Sequence, residues 1–151
     1  MLEKNNVEIF NPSFYSRIEG KEIINESIRL MLEELHDNPT EENLKRCVDF
    51  GHTFSPLTEM KSIEFDPSNS IPHGLSVGAD CIITAIIARN KGLLNEKEVE
   101  RIKILGRIID FQFDHKMYKR DDIMWSSMLE MKKHRAGNLN LPYPTEIGSY
   151  D

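Results

Sequence analysis

The segment 73–90, HGLSVGADCIITAIIARN, constrains the fold more than any other feature of the sequence, because it is apolar on nearly every side of a helix. A helix of this kind buries its whole circumference and therefore belongs at the centre of a domain. Gly92 is placed to end it. The apolar stretch around residues 81–88 is too short to cross a bilayer. We therefore expect a compact domain built around one buried helix.

The flanking segments have apolar residues spaced three and four apart, which predicts amphipathic helices. In residues 20–36 this face comprises Ile23, Ile24, Ser27, Ile28, Met31, Leu32 and Leu35. Asn95 is expected to cap a helix over residues 96–113, with Val99, Ile102, Leu105, Ile108 and Ile109 on one stripe. Asp121 or Asp122 is expected to start the last helix, with Ile123, Ser127, Met128 and Met131 inward.

The remaining segments are short or broken by turn residues. A short helix is expected over residues 41–50, and another over 53–63 with Ser55 as its cap and Pro56 as its first residue. Residues 65–72 should form a loop. Residues 136–148 carry two prolines and two glycines, so LNLPYP is expected as an edge strand or an extended arm. The prediction is a mainly α protein of about five helices, with an irregular segment 1–19 and a helical domain 20–151.

The composition of the chain limits the classes of partner that it is expected to bind. The 151 residues carry a net charge of −6 with both signs interleaved, and without a basic stripe nucleic acid is not expected as a partner. The N-terminus lacks an apolar signal core, so we expect a cytoplasmic protein without a membrane partner. Cys47 and Cys81 lack the spacing of a metal knuckle and are expected as buried free thiols.

Two histidines are candidates for chemistry. His52 lies in DFGHTFSP (49–56) and His73 in PHG (72–74), each after a loop from which an imidazole can point into a cleft. Neutral imidazole is a common zinc ligand, but a catalytic zinc needs a third ligand and an open position. The spacing leaves open whether the two rings share a metal or are ordinary residues at two helix starts.

Three motifs in order resemble the sugar phosphate cyclase family, which includes dehydroquinate synthase. They are DFGHTFSP (49–56), PHG (72–74) and KKHRAGNLNLPYPTEIG (132–148). The family carries N-F-G-H-T-F-G-H, H-G-E and D-K-K…G…L-P…I-G in the same order. The resemblance covers the chain from about residue 20 and implies the helical C-terminal domain of the dehydroquinate synthase-like fold, without its N-terminal α/β nucleotide-binding half.

Departures from the family pattern favour one branch. Asp49 replaces the asparagine of dehydroquinate synthases, and Ser55 and Pro56 replace their Gly-His. These residues, with Asp80, resemble the branch that cyclises sedoheptulose 7-phosphate, of which 2-epi-5-epi-valiolone synthase is the best-known member. Leu75 replaces the glutamate of H-G-E, so this chain departs from the family pattern at that position.

The resemblance implies a reaction and its cofactors. In such enzymes NAD transiently oxidises a hydroxyl, a divalent metal (zinc or cobalt) holds that oxygen and its neighbour, phosphate is eliminated, and an aldol step closes the ring. A metal supplies Lewis acidity for such a step, and cationic side chains neutralise phosphate. The implied product is a valiolone- or gadusol-type cyclitol, and the full-length protein is expected to be a homodimer.

The resemblance also assigns roles by position. His52 and His73 would be metal ligands, and Asp49 would orient the substrate hydroxyls. The basic residues would contact phosphate or line the substrate pocket: Lys45, Arg46, Lys132 and Lys133, with His134 close by. Each has a simpler alternative, because Asp49 is a good helix cap, Lys45 and Arg46 can be solvated, and cations are favoured at a helix C-terminus.

The family pattern extends beyond this chain. Its NAD site comes from the N-terminal half, and its third zinc ligand, a glutamate, comes from a helix just before the point that matches the start of this chain. None of Glu3, Glu8 and Glu19 lies in a convincing version of that helix. We expect a fragment or one half of a split enzyme that is inactive alone. The alternatives are a 3-dehydroquinate synthase domain, a non-catalytic helical interaction module derived from a cyclase and, more distantly, an iron-containing alcohol dehydrogenase.

Overall fold

The computed structural model of the chain describes residues 8–9, 11–40, 42, 47–111, 113–134, 137, 139 and 141–150. The chain divides into two compact units, Met1–Val48 and Asp49–Asp151. The fold is mainly α, as the sequence predicts. Within the described residues, no helix is long and apolar enough to span a membrane.

The described residues of the first unit include a 3₁₀ turn, Pro12–Ser16, followed by helix α1, Ile18–His36. Phe14 is buried, and a side chain at Gly20 would collide with the Phe14 backbone, so the turn and the helix start are closely packed. Arg29 forms ion pairs with Glu26 and Glu33 on the helix surface. The predicted amphipathic helix is present, two residues longer at its start.

The second unit contains helices α2, Ser55–Phe65; α3, His73–Asn90; α4, Glu96–Ile108; and α5, Asp121–His134. A hairpin of β1, Pro144–Glu146, and β2, Ser149–Tyr150, is antiparallel and pairs Pro144 with Tyr150. Helix α3 packs against α2, α4 and β1, and α2 also packs against α5. The prediction of a central buried helix over residues 73–90 is confirmed.

Two buried clusters hold this unit together. The first joins the starts of α2, α3 and α5 with the connection before α5: Phe54, Ile71, Ala79, Met117, Tyr118 and Ile123. The second lies between the end of α3 and the start of α4: Ala85, Ala88, Leu94 and Val99. Helices α3 and α4 can approach closely because residue 106 is glycine, where a Cβ would collide with Ile82. On α5, Ile123, Ser127 and Met131 are buried as predicted.

Several boundaries differ from the sequence prediction, among them the start and end of α2, which covers Ser55–Phe65 rather than residues 53–63. Helix α4 ends at Ile108 rather than residue 113, because Ile109 caps it and Asp110 takes a left-handed conformation (φ 57°). Of the expected helix 41–50, the described part is a 3₁₀ turn, Cys47–Asp49, and residues 41 and 43–46 lie outside the described residues. The strand begins at Pro144, the last residue of LNLPYP, so only the end of that segment belongs to the hairpin.

Candidate metal and substrate site

His52 and His73 come together, with ring centroids 5.8 Å apart and ring planes inclined by 55°. His52 lies in the turn before α2, and its backbone N–H donates to the Asp49 carbonyl at 3.0 Å. His73 is the first residue of α3. Both side chains are exposed, so the space between them is open to a ligand.

The hydrogen bonds of the two rings identify the nitrogen that each leaves free. His73 Nδ1 lies 2.8 Å from Glu59 Oε2, and His52 Nδ1 lies 3.3 Å from the Phe50 carbonyl oxygen. A carbonyl or ionised carboxylate oxygen only accepts, so each Nδ1 must carry the proton. In the neutral form of each ring, Nε2 then keeps its lone pair, which is the state in which imidazole binds a metal.

This donor pair fits a divalent metal such as zinc. Two imidazole Nε2 atoms each about 2.0–2.1 Å from zinc would hold their rings roughly 5–6 Å apart, which agrees with the 5.8 Å measured between the centroids. Among the described residues, no group of three or more His, Cys, Asp or Glu side chains could hold a metal ion. The described chain thus offers two ligands of a zinc site.

Asp80 fixes the turn that carries His52. Its side chain is fully buried, and Oδ2 accepts from the backbone N–H groups of Phe54 at 2.6 Å and Ser55 at 2.9 Å. These are orphan donors at the start of α2, so Asp80 of α3 caps α2 from the side. Burial raises the pKa of Asp80, and the hydrogen bonds from Ser55, Phe54 and Thr84 oppose that rise.

Ser55 is therefore not the cap that the sequence predicts. It is the first residue of α2, with Phe54 at the N-cap position and Pro56 within the first two helical residues. The Ser55 hydroxyl instead donates to the Gly51 carbonyl at 2.6 Å, which tightens the turn around His52. The distant carboxylate of Asp80 takes the capping role because it accepts two N–H groups at once.

A second buried polar link joins α3 to the turn before α5. The Tyr118 hydroxyl donates to the Ser76 carbonyl at 2.9 Å and lies 2.8 Å from the Ser76 hydroxyl, which also contacts the Ser55 carbonyl at 3.2 Å. Burial raises the pKa of the Tyr118 phenol above its ordinary value, so it remains a donor. The link holds the first turn of α3, and with it His73, against α2.

Among the other predicted site residues, Asp49 adjoins His52, since its carbonyl accepts from the His52 N–H. Asp49 is half-buried at the end of the 3₁₀ turn, three residues before His52. Lys132, Lys133 and His134 are exposed at the end of α5, where Lys133 pairs with Glu130 at 2.6 Å. Within the described residues, no hydrogen bond or ion pair connects these three with the histidines. Lys45 and Arg46 lie outside the described residues.

Sequence reasoning missed Glu59 and gave Asp80 no structural role. Glu59 lies 14 residues before His73, across a loop, and a lone glutamate on an amphipathic helix carries no signal of its own. Asp80 could have been noticed as an acidic residue within the apolar segment 73–90, because a buried carboxylate needs hydrogen-bond partners.

Comparison with known proteins places these features in a family. The family described as 3-dehydroquinate synthase C-terminal matches residues 2–134. A 2-epi-5-epi-valiolone synthase of Streptomyces albus is 34% identical over 129 residues, which are 85% of this chain and 30% of that protein. A demethyl-4-deoxygadusol synthase of Trichormus variabilis is 32% identical over 122 residues, 81% of this chain and 28% of that protein.

Nearly the whole chain matches two further proteins. A 3-dehydroquinate synthase of Prochlorococcus marinus is 27% identical over 150 residues, 99% of this chain and 39% of that protein. The solved structure of ValA, a 2-epi-5-epi-valiolone synthase from Streptomyces hygroscopicus with NAD⁺ and Zn²⁺ bound, superposes with a TM-score of 0.82 at 29% identity, covering 99% of this chain and 40% of that one. The chain thus spans about 30–40% of the length of these relatives. It belongs to the 3-dehydroquinate synthase C-terminal family, among the sugar phosphate cyclases.

Proposed function

We propose that the chain is the metal- and substrate-binding domain of a sugar phosphate cyclase that converts sedoheptulose 7-phosphate to a valiolone- or gadusol-type cyclitol with elimination of phosphate. The observation that carries the proposal is the convergence of His52 and His73 with both Nε2 atoms free. The 2-epi-5-epi-valiolone synthases at 31–34% identity support this branch, as do Asp49, Ser55 and Pro56.

In this proposal the chain's own residues bind and orient. His52 and His73 hold a divalent metal, zinc or cobalt, which when bound supplies Lewis acidity toward substrate oxygens. Asp49 accepts hydrogen bonds from substrate hydroxyls near the metal. Lys45, Arg46, Lys132 and Lys133 neutralise the phosphate or line the pocket, with His134 beside them.

The proposal assigns the remaining parts of the site to protein outside this chain. The NAD site would come from a nucleotide-binding half, and a third, carboxylate ligand would come from a helix outside this chain. The full-length protein would be a homodimer. We therefore propose that residues 20–151 form a domain that is inactive alone. This proposal is supported by the comparison with the Streptomyces albus synthase, because this chain matches only 30% of the length of that protein.

Zinc titration by calorimetry tests the metal site. Wild type should bind one Zn²⁺ weakly, because two imidazoles without a carboxylate ligand make an incomplete zinc site. His52→Ala and His73→Ala should each weaken this binding further, at least tenfold, because a single imidazole is a poorer site still. His36→Ala is the matched control, since His36 is an exposed histidine at the end of α1. Binding that survives both site substitutions, or falls equally in the control, would refute the metal site.

A 3-dehydroquinate synthase domain is the second candidate. The observation in its favour is that the Prochlorococcus marinus enzyme aligns with 99% of this chain, more than the 85% aligned with the Streptomyces albus synthase. With zinc present, NMR shifts at Asp49 and His52 should respond to sedoheptulose 7-phosphate under the first proposal. A response only to the substrate of 3-dehydroquinate synthases would favour the second, and a response to neither would favour a non-catalytic module.

A further inference from the structure

We propose that Glu59 is a positioning residue that locks His73 in the tautomer, and at the angle, that a metal requires. The inference rests on the proposed metal site. It adds a residue, Glu59, that contacts the ring nitrogen of His73 that does not bind the metal. Glu59 would not touch the metal. It would act through the imidazole, on the ring nitrogen that faces away from the ligand position.

The contact itself has the geometry of a charge-assisted hydrogen bond. Glu59 Oε2 and His73 Nδ1 are 2.8 Å apart, which is within the range of the stronger N–H···O⁻ bonds. The carboxylate is mostly covered, with 27% of its side chain exposed, whereas the imidazole is 63% exposed. The acceptor is therefore shielded enough to select one tautomer, while the opposite edge of the ring faces open space.

Both partners are anchored by the fold, so their meeting is not a chance surface contact. Glu59 follows the first turn of α2, whose start is fixed by Asp80. The segment before His73 is held by Ser62, whose hydroxyl accepts from the Ile71 N–H at 3.0 Å and donates to the Glu59 carbonyl at 2.8 Å. The backbones on either side of the carboxylate–imidazole pair are thus tied together independently of that pair.

The two histidines differ in this respect. His52 Nδ1 faces a neutral backbone carbonyl at 3.3 Å, a longer and weaker bond. A carboxylate behind the ring raises the basicity of the distal nitrogen more than a carbonyl does. We infer that His73 is the more strongly oriented ligand of the pair and that Glu59 is the reason.

The tautomer can be measured without any metal. In ¹⁵N–¹H correlation spectra of the metal-free chain, the neutral His73 ring should be mainly Nδ1–H in wild type and should shift toward Nε2–H in Glu59→Ala. Glu59→Gln keeps an oxygen acceptor and should retain most of the Nδ1–H form. Glu64→Ala is the matched control on the same helix, because Glu64 pairs with Lys61 instead. An unchanged tautomer in Glu59→Ala would overturn the inference.

Zinc affinity then shows whether the orientation serves the metal. Glu59→Ala should raise the zinc dissociation constant about 10–100-fold, the usual cost of losing such a partner, with Glu59→Gln in between and Glu64→Ala at the wild-type value. A tautomer shift with unchanged affinity would overturn the inference, and so would a loss in Glu59→Gln as large as in Glu59→Ala, which would make Glu59 a direct ligand. If wild type bound no zinc, the proposed function would fail while the tautomer data still tested the contact.

Discussion

Gly51 sets the direction of the turn that carries His52. Its φ of 80° lies in the left-handed region, and a Cβ there would lie 2.8 Å from both Cys81 Sγ and Val77 Cγ1. The turn thus lies directly on α3, where only glycine fits on grounds of both conformation and space. The position of His52 therefore depends on the residue before it as much as on its own ring.

Gly51→Ala should lower the free energy of unfolding by about 2–5 kcal/mol, the sum of left-handed strain and overpacking. It should also weaken zinc binding, because His52 would be displaced. Urea denaturation measures the first effect and calorimetry the second.

Gly92→Ala is the control, since Gly92 has a similar φ of 78° but open space around its Cβ position. It should cost only the conformational strain, about 1–2 kcal/mol, and leave zinc binding intact. Equal losses of stability in the two variants would show that packing against α3 does not matter at Gly51.

At the scale of elements, the start of α2 and the body of α3 depend on each other through Asp80. A carboxylate from the centre of α3 caps α2, while the Ser76–Tyr118 link ties the start of α3 to the turn before α5. Three helices are thereby positioned by buried polar contacts as well as by the apolar clusters. Such contacts specify a unique arrangement, because an unpaired buried group is costly.

The pH dependence of stability should show the cost of burying Asp80. Its pKa is raised in the folded chain, so the folded state holds the proton more tightly than the unfolded state does. The stabilising contribution is then full below the ordinary value of 3.8 and declines as pH rises through the folded-state pKa. The stability of wild type relative to Asp80→Asn should therefore fall as the pH rises above about 4.

Urea unfolding across this pH range measures the difference. Asp122→Asn is the control, because Arg120 lowers the pKa of the exposed Asp122. The contribution of Asp122 is then already complete above about pH 4, so the stability difference for this variant should be small and flat across the range. If wild type instead gained stability over Asp80→Asn with rising pH, the hydrogen bonds from Phe54 and Ser55 would outweigh desolvation.

At the scale of the whole molecule, the chain presents apolar surface on elements of both units. In α1 the exposed residues include Ile24, Ile28, Met31 and Leu32, and in the second unit Phe65 and Trp125 are more than half exposed. Exposed apolar groups of this size are often interaction surfaces. They agree with the proposal that the chain acts with further protein, as does its coverage of 40% of ValA.

Under the proposed function, the isolated chain should release no phosphate from sedoheptulose 7-phosphate in the presence of NAD⁺ and Zn²⁺. The described residues hold no third metal ligand beside the two histidines, and the proposal assigns the NAD site to protein outside this chain. A colorimetric phosphate assay measures this, with the full-length Streptomyces hygroscopicus synthase as the positive control. Turnover by this chain that His52→Ala abolishes would contradict the prediction.

The sequence by itself determined the helices, the central position of residues 73–90, the histidine pair as the candidate site and the family. These features follow from local periodicity and from short motifs, and each of these lies within a single segment of the chain. The tertiary structure decided that Asp80 caps α2 from 25 residues away and that Glu59 faces His73 Nδ1. In the tertiary structure α4 also ends five residues before the predicted residue 113, because Asp110 takes a left-handed conformation. These features depend on how α2 and α3 pack, because a hydrogen bond between elements requires two backbones to be placed within a fraction of an ångström, and no spacing along the chain encodes that distance.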